Sequence, residues 1–252
     1  MRIAISAGAL LTAVALCLMP AGVARAQLVP EPVDGFFGFT DGTPNLVVNK
    51  DQGKSAANAV SIVYDNTISA ANFGFSSTDL LANFGDELFT TGVGVLSTQQ
   101  LSLFNSGSSL GPLLTATLGV QFFDAVTSAL LGSYNVNVNF GAGLNPGFFT
   151  LVNVTALDPL AINLTTTDII VIQRIVAKTG TASRLGIVSL NPPTIGASPG
   201  YMYISASTTG GGVPGFYNIA SGPANPGYQI GVSPPPVGAV SRSWSQLKKL
   251  YR

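Results

Sequence analysis

The sequence predicts an all-β fold, a two-sheet antiparallel β-sandwich of the jelly-roll-like kind with about ten strands. Apolar and polar residues alternate with a period of two along many stretches of the 252-residue chain. Turn-forming sequences such as Asn-Pro-Gly, Asn-Pro-Pro and Gly-Gly-Gly separate these stretches. Beyond residue 26, no stretch carries a helical pattern of three turns, and only residues 79–84 could form one short helical turn.

Two stretches have the clearest alternation. In residues 114–122, the side chains of Leu114, Ala116, Leu118, Val120 and Phe122 are expected to face one way, toward a core. In residues 134–140, Tyr, Val, Val and Phe alternate with three asparagines, which predicts a strand with one buried and one wet face. Further strands are predicted at residues 60–64, 94–104, 148–154, 169–177, 185–190, 201–206, 216–219 and 228–232. Residues 169–172 are apolar on both faces, which favours a central position in a sheet.

The chain is expected to divide into a signal peptide at 1–26, an extended leader at 27–54, one sandwich domain at 55–232 and a Pro-rich spacer with a basic tail at 233–252. Residues 1–2 give a short positive start, residues 3–19 are uncharged and apolar, and Ala24-Arg25-Ala26 matches a cleavage site. An uncleaved membrane anchor is the alternative, because about 17 apolar residues are near the lower limit for a spanning helix. After cleavage we expect an exported chain, secreted or at the cell surface, without a transmembrane anchor.

Composition excludes several functions. Charged residues make up 9% of the chain, against about 25% in ordinary domains. Eleven basic and eleven acidic residues cancel, and no basic stripe could neutralise phosphates, so nucleic-acid binding is not expected. The chain has no histidine, and its single cysteine, Cys17, lies in the predicted signal peptide. The mature protein therefore has no disulfide, no Cys or His nucleophile and no ordinary zinc site, and no cofactor is expected.

The last residues carry a charge of opposite sign to the body. The tail is +4, whereas residues 55–233 hold seven acids and three bases. It reads either as a solvated end, as a sorting or anchoring tag, or as a short amphipathic segment on an anionic membrane. The residues proposed to carry this role are Trp244, Leu247, Lys248, Lys249, Tyr251 and Arg252.

Several short motifs occur in a fixed order along the body: Tyr-Asp-Asn-Thr at 64–67, Gly-Asp-Glu-Leu at 85–88, Leu-Ser-Leu-Phe at 101–104, Phe-Phe-Asp at 122–124, Leu-Gly-Ile at 185–187 and Asn-Pro-Gly-Tyr at 225–228. With these motifs, residues 60–232 resemble the β-sandwich domains of bacterial exported proteins called choice-of-anchor domains. The resemblance implies export, a jelly-roll-like sandwich and residence at a surface or matrix. It brings no catalytic residues.

Tyr201, Tyr203, Tyr217 and Tyr228 gather near the C-terminal strands and form a candidate ligand-binding face. Exposed tyrosine rings stack on sugars, and Tyr201 and Tyr203 fall on one face of their predicted strand. The alternative is an ordinary sandwich core whose phenol groups reach the rim.

Two acidic clusters are candidates, one for glycoside hydrolysis and one for calcium binding. Asp86 and Glu87 are adjacent, so in a strand they point to opposite faces and do not meet across one glycosidic bond. A distant partner could come from Asp65, Asp124 or Asp168. Residues 41–51 gather oxygen ligands in a Gly-containing loop but lack the EF-hand spacing, so a polar turn competes with a calcium site.

These observations favour a non-enzymatic secreted or cell-surface protein with a structural or adhesive role. The expected partners are an extracellular polysaccharide or the cell envelope, and an uncharged edge strand would favour self-association. A carbohydrate-binding module that uses the tyrosine face is the alternative function, and a carboxylate-dependent hydrolase is the third.

Overall fold

The computed structural model describes residues 28–31, 45–46, 60–77, 82–205, 215–219 and 223–234, and within them the chain forms fifteen strands and one short 3-10 helix, Asp158–Leu160. The strands are β1 (Leu28–Glu31), β2 (Asn45–Leu46), β3 (Ser61–Asp65), β4 (Ala70–Ser77), β5 (Asn83–Phe89), β6 (Gly94–Asn105), β7 (Leu113–Asp124), β8 (Leu130–Leu144), β9 (Phe149–Val154), β10 (Asn163–Leu164), β11 (Asp168–Gly180), β12 (Leu185–Asn191), β13 (Met202–Ile204), β14 (Gly215–Ile219) and β15 (Tyr228–Ser233).

The strands form two sheets, which confirms the predicted antiparallel β-sandwich. The larger sheet has eight strands in the order β1-β14-β13-β5-β11-β7-β8-β2. The smaller has seven strands: β3-β15-β6-β12-β4, with β9 and β10 also paired to β6. Every strand pair is antiparallel except β2 with β8. Strands β1 and β2, from the predicted leader, therefore pair at the two opposite edges of the larger sheet.

The main core lies between the sheets, where the inward faces of β7, β8 and β11 meet those of β6, β9 and β15. Leu118 and Phe122 of β7 are buried there with Leu101 and Leu103 of β6. Burying one such side chain is worth about 1.5–3 kcal/mol. The core alone can therefore hold together a domain that has no disulfide among its described residues.

The β11 strand occupies the centre of the larger sheet, as its sequence predicts, between β5 and β7. Ile169 and Val171 belong to the core between the sheets. Ile170 and Ile172 are buried on the opposite side of the sheet, with Tyr203 among others. A strand buried on both faces needs an apolar residue at every position, which explains the unbroken apolar run.

Two local predictions are wrong. Leu114 does not share the inward face of Leu118, because a register shift between Leu113 and Thr115 turns Leu113 into the core and leaves Leu114 40% exposed. The helical turn expected at residues 79–84 is contradicted where the structure describes it, since Asn83 and Phe84 begin β5. Strands β4 and β5 were not predicted; a glycine interrupts each of them, and the acidic pair in β5 disfavours a strand locally.

Candidate functional site

Threonine and asparagine side chains from three neighbouring strands form a continuous polar surface on the outer side of the larger sheet. In one cross-strand row Thr179 of β11 lies opposite Thr115 of β7, which lies opposite Asn139 of β8. In the next row Thr117 lies opposite Asn137. We call Thr115, Thr117, Asn137, Asn139 and Thr179 the Thr/Asn face. None of its side chains is charged.

Hydrogen bonds between strands fix these side chains. The hydroxyls of Thr115 and Thr179 are 2.7 Å apart, and the hydroxyl of Thr117 donates to Asn137 Oδ1 at 2.7 Å. Asn139 Oδ1 accepts a bond from the backbone N–H of Gly141 at 2.9 Å. Asn137 and Asn139 are exposed, and because each accepts with Oδ1, each also carries an amide group that can donate hydrogen bonds.

The local sequence explains why the asparagines face outward. Asparagine is a poor strand former, so burial of the alternating residues must set this strand. Tyr134 and Val136 of β8 are buried, and the hydroxyl of Tyr134 donates to Gln99 Oε1 in the core. The burial of Tyr134 and Val136 and the exposure of Asn137 and Asn139 confirm the prediction that the asparagine side of β8 faces away from the core. The pairing of these asparagines with the threonines of β7 and β11 was not predicted, because the register of β7 and β11 against β8 cannot be read from the sequence.

The four tyrosines predicted to bind ligand do not form an exposed face. Tyr203, Tyr217 and Tyr228 are buried, and only Tyr201 is partly exposed. Tyr201 and Tyr203 do lie on one side of the sheet, since both rings pack edge-on against Phe216, with centroids 5.2 Å and 5.5 Å from it. Burial raises the pKa of Tyr203 to about 12. A sugar ring has no access to the buried rings. Tyr217 and Tyr228 belong to the core between the sheets, as the alternative expects, and Tyr203 is buried on the outer side of the larger sheet.

Asp86 and Glu87 point to opposite sides of β5, as their adjacency predicts. Asp86 is completely buried between the sheets, where the Ser198 hydroxyl donates to its carboxylate at 3.1 Å. Burial raises the pKa of Asp86 well above its ordinary value, and the nearby Glu87 raises it further. Glu87 lies on the outer side, where its Oε2 accepts a bond from the Tyr201 hydroxyl at 2.5 Å.

Of the distant carboxylates, Asp168 is the one that meets Glu87. The register pairs Glu87 with Ile170, which places Asp168 diagonally beside it on the same side of the sheet. Burial, reinforced by the charge of Glu87 and a hydrogen bond with it, raises the pKa of Asp168 to about 6. Glu87 and Asp168 are therefore diagonal neighbours on one side of the sheet, and the Glu87 carboxylate is already engaged by the Tyr201 hydroxyl.

Asp65 and Asp124 hold turns. Asp65 Oδ1 accepts bonds from the backbone N–H and the hydroxyl of Thr67 at 2.8 and 2.7 Å. Asp124 Oδ1 accepts bonds from the backbone N–H groups of Val126 and Thr127 at 2.9 and 2.7 Å. The bonds from Thr127 lower the pKa of Asp124. Both carboxylates therefore have structural roles in their turns.

Two predicted sites lie outside the described residues. The first is the candidate calcium loop at 41–51, of which the structure describes only the two residues of β2. The second is the whole sorting tail: Trp244, Leu247, Lys248, Lys249, Tyr251 and Arg252. In the part of the chain that the structure describes, no three His, Cys, Asp or Glu side chains group as metal ligands. No helix in that part is long and apolar enough to cross a membrane.

The fold and its surface define a class: a two-sheet β-sandwich that presents an ordered, uncharged Thr/Asn face. No protein-family model, no curated protein and no solved structure matches the chain. The resemblance to choice-of-anchor domains therefore stays a prediction from the sequence motifs.

Proposed function

We propose that this protein is a non-enzymatic structural or adhesive protein, secreted or held at the cell surface, and that it contacts a neutral extracellular polysaccharide through the Thr/Asn face. The observation that carries the proposal is the fixed array of hydroxyl and amide groups on β7, β8 and β11, which contains no charge. Export is proposed from the signal-like residues 1–26, and the choice-of-anchor resemblance supports the same location.

The chemistry of the face suits a neutral glycan. Sugar hydroxyls both donate and accept hydrogen bonds, as threonine hydroxyls and asparagine amides do. Cross-strand neighbours are about 4.8 Å apart and residues on one face of a strand recur about every 7 Å, so the polar groups form a regular grid. Because Thr115, Thr117 and Asn137 are already tied to neighbours, less side-chain entropy is lost on contact.

Weak, repeated contact is the expected mode. A neutral hydrogen bond contributes about 0.5–1.5 kcal/mol net, so a few such bonds give low affinity at one site. A polymer offers many equivalent sites, and several copies held on one surface gain avidity from them. This behaviour is appropriate for adhesion or matrix building.

The carboxylates support a binding role over hydrolysis. Asp86 is enclosed in the core, and Glu87, which lies diagonally beside Asp168, accepts a hydrogen bond from the Tyr201 hydroxyl. Neither arrangement offers an acid and a base facing a substrate. A carboxylate hydrolase therefore has no support from these residues.

The test is a pull-down of the purified chain with a panel of insoluble polysaccharides and with the producer's own cell envelope. We expect binding to at least one neutral glycan, and we expect Asn137→Lys to abolish it. The matched control is Asn153→Lys, which places the same charge at an exposed strand asparagine of β9 on the other sheet. Equal binding by wild type and Asn137→Lys would overturn the role of the face. Release of soluble sugar from any glycan would overturn the non-enzymatic assignment.

A further inference from the structure

Three connections meet at one end of the sandwich, and we call residues 106–112, 145–148 and 181–184 the loop end. They join β6 to β7, β8 to β9 and β11 to β12. The backbone N–H of Asn105 bonds to Phe148 O at 3.0 Å, and that of Ser106 bonds to Arg184 O at 3.1 Å. The three connections are therefore one unit.

Side chains hold the loop end in a single shape. Asn105 Nδ2 donates to Gly111 O at 2.9 Å and to Leu144 O at 2.8 Å, and so ties two connections together. Ser109 Oγ accepts a bond from the backbone N–H of Ser183 at 2.7 Å, which ties in the third. These bonds hold the three connections together.

The loop end presents large apolar side chains to solvent. Leu110 is 85% exposed and Phe148 is 64% exposed. Two residues at the adjoining strand starts, Phe149 and Leu114, are about 40% exposed. We call these apolar side chains the patch; they belong to two chain segments of the loop end, at residues 110–114 and 148–149.

The charges beside the patch are positive. Arg184 is the only charged residue within the loop end, and its Nε is buried and has no hydrogen-bond partner in the described part of the chain. Lys178 lies near the same end of β11. Asp168 lies at the other end of that strand, ten residues and therefore about 33 Å from Lys178. Glu87 and Asp124 lie at the same end as Asp168.

We propose that the loop end is a docking surface for an anionic lipid membrane, with Leu110 and Phe148 inserted among the lipids and Arg184 and Lys178 near the headgroups. A deformable bilayer accepts separate exposed apolar side chains, whereas a second protein would need a complementary cavity for each of them. The positive side chains fit the negative headgroups, and Glu87, Asp124 and Asp168 lie at the other end of the larger sheet. This inference is independent of the polysaccharide proposal, because it concerns different residues.

The test is sedimentation of the full chain with vesicles of phosphatidylcholine, either alone or mixed with an equal share of phosphatidylglycerol. Binding is expected to the anionic vesicles and to weaken at high salt. Replacing an inserted Phe or Leu by Ser is expected to lower vesicle affinity about tenfold, so Phe148→Ser and Leu110→Ser are compared with wild type. Both positions are exposed, and an unchanged thermal midpoint verifies folding.

The matched control is Val126→Ser, which changes a side chain that is 79% exposed on the turn at the opposite end. An equal loss of binding for this control and for Phe148→Ser would overturn the proposal. Unchanged binding by Phe148→Ser, with loss only on removal of residues 235–252, would assign membrane contact to the tail and overturn it too. A dimer in vesicle-free sedimentation that Phe148→Ser abolishes would assign the patch to a second copy and equally overturn it.

Discussion

Replacing Asn66 by alanine is expected to destabilise the protein far more than its position in a turn suggests. Asn66 follows β3 and is completely buried. Its Nδ2 donates to Leu190 O at 2.9 Å and to Pro226 O at 3.0 Å, and its Oδ1 accepts a bond from the backbone N–H of Tyr228 at 2.8 Å. One side chain therefore joins two segments, at residue 190 and at residues 226–228, that lie more than 120 residues from it in sequence.

The magnitude follows from those bonds. Each contributes roughly 1 kcal/mol net, and the Tyr228 N–H left without its acceptor costs about 1–3 kcal/mol more. Asn66→Ala is therefore expected to lower the free energy of unfolding by about 4 kcal/mol. For a domain of this size, each kcal/mol moves the thermal midpoint by about 2–4 °C, which gives a shift of roughly 8–16 °C.

Thermal and urea unfolding of three variants test the argument. Asn137→Ala, on the exposed Thr/Asn face, is the control and is expected to change stability by about 0.5 kcal/mol or less. Asn66→Asp keeps an acceptor for Tyr228 but directs a carboxylate at the carbonyls of Leu190 and Pro226, so it is expected to be less stable at pH 7 than at pH 4. If Asn66→Ala moved the midpoint no further than Asn137→Ala, the reasoning about this network would be refuted.

Two further predictions concern the sheets. Leu118→Ala is expected to cost about 2–5 kcal/mol in urea unfolding, and Leu114→Ala under about 1 kcal/mol, because the register shift places only Leu118 in the core; equal costs would contradict the register. Asp168 has a folded-state pKa raised to about 6, so its contribution is full below pH 4 and is lost as pH rises through 6. The stability of Asp168→Asn relative to wild type is therefore expected to increase between pH 4.5 and pH 7.5, and a constant difference in thermal midpoint would contradict this.

The period-two pattern predicted most of the strands because burial of alternate residues is a local property of the sequence. It failed at Leu114, where one extra residue in the strand changes which side faces inward. It also missed β4 and β5, whose residues depend on neighbours for their conformation. Gly85 shows the reason: a Cβ there would lie 2.6 Å from Val171 O, so the position needs glycine to let β11 approach. The partner strand creates this requirement, so it produces no periodic pattern in the sequence.

The candidate site was harder to predict than the fold. The tyrosines near the C-terminus suggested a sugar-binding face because aromatic rings can bind sugars, but Tyr217 and Tyr228 are buried between the sheets and Tyr203 is buried on the outer side of the larger sheet. The Thr/Asn face depends on the pairing of β7 with both β8 and β11, and Thr115 and Thr179 are 64 residues apart in sequence. A surface assembled from distant strands becomes visible only when their register is known.

The neutral polar residues of this chain have two different roles, and the difference explains how a domain with so few charges is held together. Ser and Asn side chains are mostly exposed in folded proteins, yet Asn66, Ser102 and Asn105 are completely buried. Each donates to backbone carbonyls of distant segments, as the Ser102 hydroxyl does to Val188 O at 3.1 Å. A buried amide or hydroxyl can satisfy such groups without the desolvation cost of a charge. In the described residues these side chains serve as the internal ties, so the outer Thr and Asn side chains are left available for contact with other molecules.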